Sequence, residues 1–196
     1  MCTYKAMQSI NKLPVVVLWL SALLMLTSSC QHNYIVKGTT DASVFHGSSI
    51  ALKVLTGRYQ WTSLDSCEVT HGMFLMKGRM DSVVFATLFL DDIPVMPIII
   101  EPGILHVNIS SLSLSASGTR LNNELYDFLG RRNELQTRVT ELGHTESQMI
   151  MDGASTDAVH HYVDSVYGVI TDSMDLLLHN LTPFIRDHLI AFSSPQ

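Results

Sequence analysis

The sequence predicts an α+β fold, mainly β with a C-terminal helical hairpin: an antiparallel β-sandwich or barrel-like meander followed by two to three helices. Two observations predict it. From Tyr34 to Ser117 apolar and polar residues alternate in short runs separated by glycine- and proline-containing turns, which is the period of half-buried strands. At Gly118 the period changes, and apolar residues then recur three and four apart, as on one face of a helix.

The chain opens differently. Lys5 and Lys12 precede an apolar stretch from Leu13 to Leu26, and the small residues Thr27, Ser28 and Ser29 lead into Cys30. A positive start, a short apolar core and small residues are the parts of a secretory signal. The core is shorter than the ~20 residues of a transmembrane helix. A cysteine closing the small residues resembles the lipobox of bacterial lipoproteins, with Thr27 where that motif usually has leucine. The resemblance implies cleavage before Cys30 and lipidation of its thiol. The expected organisation is a lipoprotein signal peptide over residues 1–29, an antiparallel β domain over 30–118 and a helical hairpin segment over 119–196.

Within the β region, "YIVKG" is a short apolar strand, and "SSIALKVLTG" sets Ile50, Leu52 and Val54 on one side. "WTSLDSCEV" and "MFLMKG" flank "THG", which predicts a hairpin about a glycine turn. "DSVVFATLFLDD" is a further strand, and "PVMPIII", with two prolines, suits a sheet edge or a strand entrance. "EPG" turns the chain, since proline presets φ and glycine tolerates positive φ. "ILHVNIS" places Leu105, Val107 and Ile109 on one face, and "SLSLSAS" alternates from Ser111 to Ser117 with Leu112, Leu114 and Ala116 on one face, as in a half-buried strand.

Leu121, Leu125, Phe128, Leu135, Val139 and Leu142 then form the stripe of a first helix, with Arg132 in the one missing position and Gly143 as its expected stop. Thr119 or Asn122 is expected to cap its start. After a loop near "HTESQMIMDGAS", a second helix capped by Ser155 or Thr156 carries Val159, Val163, Val166, Ile170, Met174, Leu177 and Leu181. Pro183 ends or kinks it, and "FIRDHLIAF" adds further turns.

The chain has a net charge of −6, and the only charged residues before Cys30 are Lys5 and Lys12, so the remainder is more acidic still. That excludes a nucleic-acid partner, which requires clustered Lys and Arg. The three cysteines are Cys2, Cys30 and Cys67. With Cys2 cleaved and Cys30 lipidated, Cys67 is a single free thiol, read as a partly buried strand residue. No Cys-x-x-Cys occurs, so the motif of a dithiol redox enzyme is missing.

The order of the motifs is informative. After the lipoprotein-like cysteine come "YIVKG", "SLDSCEVTHGMFLMKG", "IIIEPGIL" and "ASGTRLNNELYDF". This order resembles a domain of unknown function found in lipid-anchored periplasmic proteins, where it often precedes a thioredoxin-like domain of the AhpC/TSA or TlpA-like kind in thiol–disulfide oxidoreductases. The matching residues are Gly38, Leu64, Asp65, Ser66, Gly72, Phe74, Gly78, Glu101, Pro102, Gly103, Gly118, Thr119, Leu121 and Asn122. The resemblance covers about residues 33 to 130. It implies a lipid-anchored accessory module and a thioredoxin-like protein or domain as partner. The Trp-Cys-x-x-Cys of the thioredoxin part is absent, so redox activity does not carry over.

Candidate catalytic and metal-binding residues give no constellation. His160 with Asp164, and Asp157 with His161, lie four apart on a helix as cation ligands can, but no third ligand is specified. Asp91 and Asp92 are adjacent on a strand end and point to opposite faces, unlike the paired carboxylates of a glycosidase. Glu101 could serve as an acid or base, but "EPG" reads first as a turn. Neither Gly-x-Ser-x-Gly nor a phosphate-cradling glycine loop is present. The expectation is a protein that is not an enzyme and needs no cofactor: a lipid-anchored accessory or binding domain, held to the membrane through lipid on Cys30. The alternative is a stand-alone surface or periplasmic lipoprotein that binds peptide or glycan. "QHNYIVKG" has no acidic residue after Cys30, which favours the periplasmic face of the outer membrane over the cell surface.

Overall fold

The computed structural model describes residues 32–41, 45–57 and 60–193. The expected signal peptide and Cys30 lie outside the described residues. Among the described residues eight strands come first: β1 (His32–Thr40), β2 (Ser49–Thr56), β3 (Gln60–Glu68), β4 (Met73–Met80), β5 (Val84–Leu90), β6 (Ile93–Ile100), β7 (Gly103–Ile109) and β8 (Leu114–Ser117). Three helices follow: α1 (Arg120–Met151), α2 (Thr156–Asn180) and α3 (Pro183–Ser193).

The strands form two four-stranded sheets, ordered β4-β1-β7-β8 and β3-β2-β5-β6, so of the two expected arrangements the fold is the sandwich. The inward residues of both sheets meet in one core: Val36, Met76, Leu105 and Val107 from the first, Ile50, Leu52, Leu88 and Ile98 from the second. Their alternation in the sequence is what places them there. Every pairing is antiparallel except β1 with β7, which is parallel. Alternation tells which face a residue takes but not which strand lies beside it, so this pair was not legible in the sequence.

Two cross-strand pairs explain three motif residues. Gly38 lies opposite Phe74, and Gly78 opposite Tyr34, both between β1 and β4. A Cβ at Gly38 would overlap the Phe74 ring, and one at Gly78 would overlap the Tyr34 ring. Each aromatic ring lies over the bare backbone of its partner, an arrangement that shields a glycine in a strand.

Three local expectations are corrected. The "THG" segment does not close a hairpin: β3 pairs with β2 and β4 with β1, in different sheets. His71 and Gly72, both at positive φ, turn the chain from one sheet to the other, held by a bridge between Thr70 and Met73. The two runs separate because β4 buries Phe74 and Met76 against the glycines and core of β1, while β3 is largely exposed at the opposite sheet's edge. The strand over "SLSLSAS" begins only at Leu114. Ser110 and Ser113 tie the backbone into a turn, with Ser113 N–H donating to Ser110 Oγ at 3.1 Å, and Leu112 is 95% exposed. Of the three residues expected on one face of this strand, only Ala116 is buried. Serine hydroxyls compete here with the ladder.

The third correction concerns Gly143, which does not stop the first helix. α1 continues to Met151 and ends in a Schellman motif: Gly153 N–H donates to Ile150 C=O at 3.1 Å, and Ala154 N–H to Met149 C=O at 3.0 Å. Gly153 supplies the positive φ of 79° that this ending requires. The helix passes through Gly143 because Leu142 beside it is buried. Ser155 caps α2, accepting from Ala158 N–H at 3.3 Å, and Pro183 opens α3 where its missing N–H costs nothing.

α1 is about 48 Å long at 1.5 Å per residue. Its first half lies on the outer face of the second sheet, where Leu121, Leu125 and Phe128 join Phe85, Ile99, Leu181 and Ile185 in a second cluster. Its second half runs along α2, burying Leu135 and Leu142 on one helix and Val159 and Ile170 on the other. Both clusters lie within one compact unit, His32–Gln196, which has the makings of an independent folding unit.

Candidate functional site

The site is built where α1 meets the free edge of β6. Strand β6 ends in Ile100, Glu101 follows, and the chain returns through β7 and β8 to start α1 at the same place. Glu101 Oε1 accepts from Leu121 N–H at 2.6 Å and Asn122 N–H at 3.3 Å. It therefore satisfies the first turn of α1 and puts negative charge at the positive end of the helix dipole. This replaces the expected caps. Thr119 occupies the N-cap position without a capping bond, and its hydroxyl instead accepts from Asn122 Nδ2 at 2.8 Å.

Asn122 is fully buried. Its side-chain amide pairs with the backbone of Ile99, accepting from N–H at 2.9 Å and donating to C=O at 2.6 Å. One helical turn on, the Tyr126 hydroxyl donates to Pro97 C=O at 3.0 Å. Burial pushes the Tyr126 phenol well above the usual tyrosine range, so it stays a donor at any physiological pH. Pro97 has no N–H to offer. At Pro97 and Ile99 the outer edge of β6 is thereby closed to an added strand.

Beyond this closed edge lies a cleft of about 840 Å³. Its floor is formed by the second sheet, with Trp61, Phe85 and Thr87 and the edge strand from Pro94 to Pro97. Its walls are Tyr126, Leu129, Gly130, Arg132 and Asn133 of α1, Leu189 of α3, and Ser113 to Ser115 at the start of β8. Trp61 packs edge-on against Phe89 at 5.0 Å between ring centroids, and Lys53 lies over the same Phe89 ring at 4.6 Å, so the floor is fixed from beside. The lining is mostly apolar, and Arg132 is its one charged side chain among the described residues. Arg131, next to it, pairs with Asp127 at 3.1 Å, whereas no carboxylate among the described residues pairs with Arg132.

The other residues singled out in the sequence are scattered. Asp91 and Asp92, at φ 47° and 64°, are the two central residues of the β5–β6 turn. Asp91 accepts from Ser49 N–H at 2.8 Å, and Asp92 pairs with Lys53 at 2.7 Å, whose hydrogen bond, aided by its charge, draws the Asp92 carboxyl below its ordinary value. Both carboxylates serve the turn, as positive φ at both positions of a two-residue hairpin requires residues of this kind. Cys67 is half-buried on β3 at the rim of a second, more polar groove of about 750 Å³, and burial pushes its thiol up, away from the reactive thiolate. His160, His161, Asp157 and Asp164 are exposed on α2, and no group of three or more potential metal ligands occurs among the described residues. No helix among them is long and apolar enough to cross a membrane.

Sequence reasoning missed the cleft. Its apolar residues come from β3, β5, β6, β8, α1 and α3, and no period links them. One signal was visible: an arginine inside the apolar stripe of the first helix.

Two stacked sheets, their edge closed by a helix and an open apolar cleft beside it, define a β-sandwich module with a helical cover. Residues 34–125 match the family model described as Domain of unknown function (DUF4369). No curated protein matches the chain. The match takes in most of both sheets and ends at Leu125 on α1. It therefore contains the floor of the cleft and the Glu101–Asn122 junction, while Tyr126 to Asn133 and Leu189 on the walls follow it in sequence.

Proposed function

We propose that the chain is a non-catalytic accessory domain, anchored by lipid on Cys30 at the periplasmic face of the outer membrane, that binds an apolar ligand in the cleft. The observation that carries this reading is the cleft itself: a largely apolar concavity with one unpaired cation, of a volume within the roughly 300–1,000 Å³ common for small-molecule sites. The non-catalytic part is supported by what the polar side chains at the junction do. Glu101 and Glu124 hold backbone groups at the starts of α1 and α3, Glu124 Oε2 also accepting from the Thr182 hydroxyl at 2.7 Å, and Asn122 holds the backbone of Ile99 on β6. The resemblance of the motifs to domains that precede thioredoxin-like enzymes supports a thioredoxin-like protein as partner.

The cleft reading predicts that residues 32–196 bind the neutral apolar dye Nile red with a saturable rise in emission. Gly130 supplies the control. It lines the cleft, and a Cβ there would meet nothing within 4 Å, so Gly130→Phe fills the cleft without disturbing the core. The variant is expected to abolish the emission rise while its melting temperature holds; equal emission from both proteins would overturn the reading. The anchor is tested separately in cells fed an alkyne fatty acid. The label is expected on the full chain and absent from Cys30→Ala, and labelling of the variant would remove the lipoprotein assignment.

A further inference from the structure

We propose that the ligand of the cleft is a free long-chain carboxylic acid, its alkyl chain lying along Trp61, Pro94 and Leu129 and its carboxylate paired with Arg132. The proposal rests on the apolar-cleft reading and adds the chemical class of the ligand.

Three observations lead to it. The first is the position of Arg132. The stripe of α1 reads Leu121, Leu125, Phe128, then Arg132, then Leu135, so a guanidinium stands where the helix pattern calls for an apolar residue. The structure places it on the cleft wall, where no described carboxylate pairs with it, although its neighbour Arg131 has one in Asp127. An unpaired guanidinium beside apolar surface is a site for a planar anion that can take two parallel N–H bonds, and a carboxylate is such an anion.

The second observation is the lining. Apart from Arg132 the residues that face the cleft are apolar or neutral, so the remainder of the ligand gains by burying hydrocarbon. The third separates an acyl chain from a peptide. An extended peptide docks on a sheet by pairing with a free strand edge. The adjacent edge of β6 is closed at Pro97 and Ile99 by Tyr126 and Asn122, so it gives a peptide backbone no ladder there. A peptide would bury its own amides against apolar walls without partners, and an alkyl chain has none to satisfy.

Trp61 reports on the site directly, because Trp19 is the other tryptophan of the chain and lies outside residues 32–196. The experiment titrates that fragment with a bromine-labelled stearic acid, a contact quencher of tryptophan, below its aggregation concentration, with the matching bromine-labelled stearyl alcohol in parallel. The acid is expected to quench Trp61 saturably and to displace Nile red. Arg132→Gln, a surface change that leaves both clusters intact, is expected to weaken the acid by about tenfold or more and to leave the alcohol unchanged. Equal affinity of acid and alcohol, or no effect of Arg132→Gln on the acid, would overturn the assignment. Nile red bound but not displaced by the acid would refute the carboxylic acid while the apolar-cleft reading stands. Absence of Nile red binding would remove both.

Discussion

Asn122→Ala is expected to lower the stability of residues 32–196 by about 2–6 kcal/mol, measured by urea denaturation. The side chain is fully buried and bonded on both sides of its amide, to Ile99 N–H, Ile99 C=O and the Thr119 hydroxyl. Alanine would leave two backbone groups of Ile99 without these partners in a place water does not readily reach. Each buried polar group left unpaired costs about 1–3 kcal/mol. Domains of this size are stable by only about 5–15 kcal/mol, so the variant stands near the limit of folding. An unchanged urea midpoint would mean that Ile99 finds other partners and that the amide is not what joins helix to sheet.

Phe128→Ala is expected to cost about 3–5 kcal/mol and to shift the whole fragment in one transition. Phe128 is 4% exposed and belongs to the cluster formed with Phe85 and Ile99 of the sheet and Ile185 of α3. Removing the ring leaves a cavity where two helices and the sheet pack together. The shape of the transition matters as much as its midpoint. If α1 and α3 were merely attached to the sandwich, the helical signal near 222 nm would melt early while Trp61 fluorescence stayed native. Coincident loss of both signals is the expected result, and their separation would show that the second cluster does not couple the layers.

The strand region and the helices were legible in the sequence because each obeys a period. Ile50 and Leu52, or Leu105, Val107 and Ile109, announce their faces by alternation, and all five are buried. Leu121, Leu125, Phe128, Leu135 and Leu142 do the same at helical spacing. What was not legible depends on distant residues. Nothing local in "THG" says that the strands on either side enter different sheets. Gly143 is a poor helix residue by intrinsic preference, and tertiary packing of Leu142 overrides it. Glu101 reads as part of a turn, and only the return of α1 to the end of β6 makes it a cap. The cleft combines six elements, so its one sequence trace was Arg132, a residue at odds with its neighbours. Asn122 appeared as a possible cap because asparagine is favoured at helix starts; its actual partner is β6, a strand three elements earlier.

The parallel pairing of β1 with β7 has a consequence for how the chain assembles in time. Sheet β3-β2-β5-β6 contains two pairs of close neighbours: β2 with β3, and β5 with β6, are joined by short connections and form early, and only β2 with β5 spans a longer stretch. The other sheet is different. β1 is one of its two interior strands, and its pairing with the other, β7, sets Tyr34 against Gly103, a closure of about 70 residues whose entropy must be met before the contact returns anything. During synthesis β1 emerges first among the strands, lacks β4 on one side until Met80 has appeared, and lacks β7 on the other until Ile109 has. In that interval both rows of its backbone groups are open to another chain, which is the condition under which strands pair wrongly between molecules. Assembly of this sandwich is therefore slowest, and most sensitive to protein concentration, at the first strand to leave the ribosome.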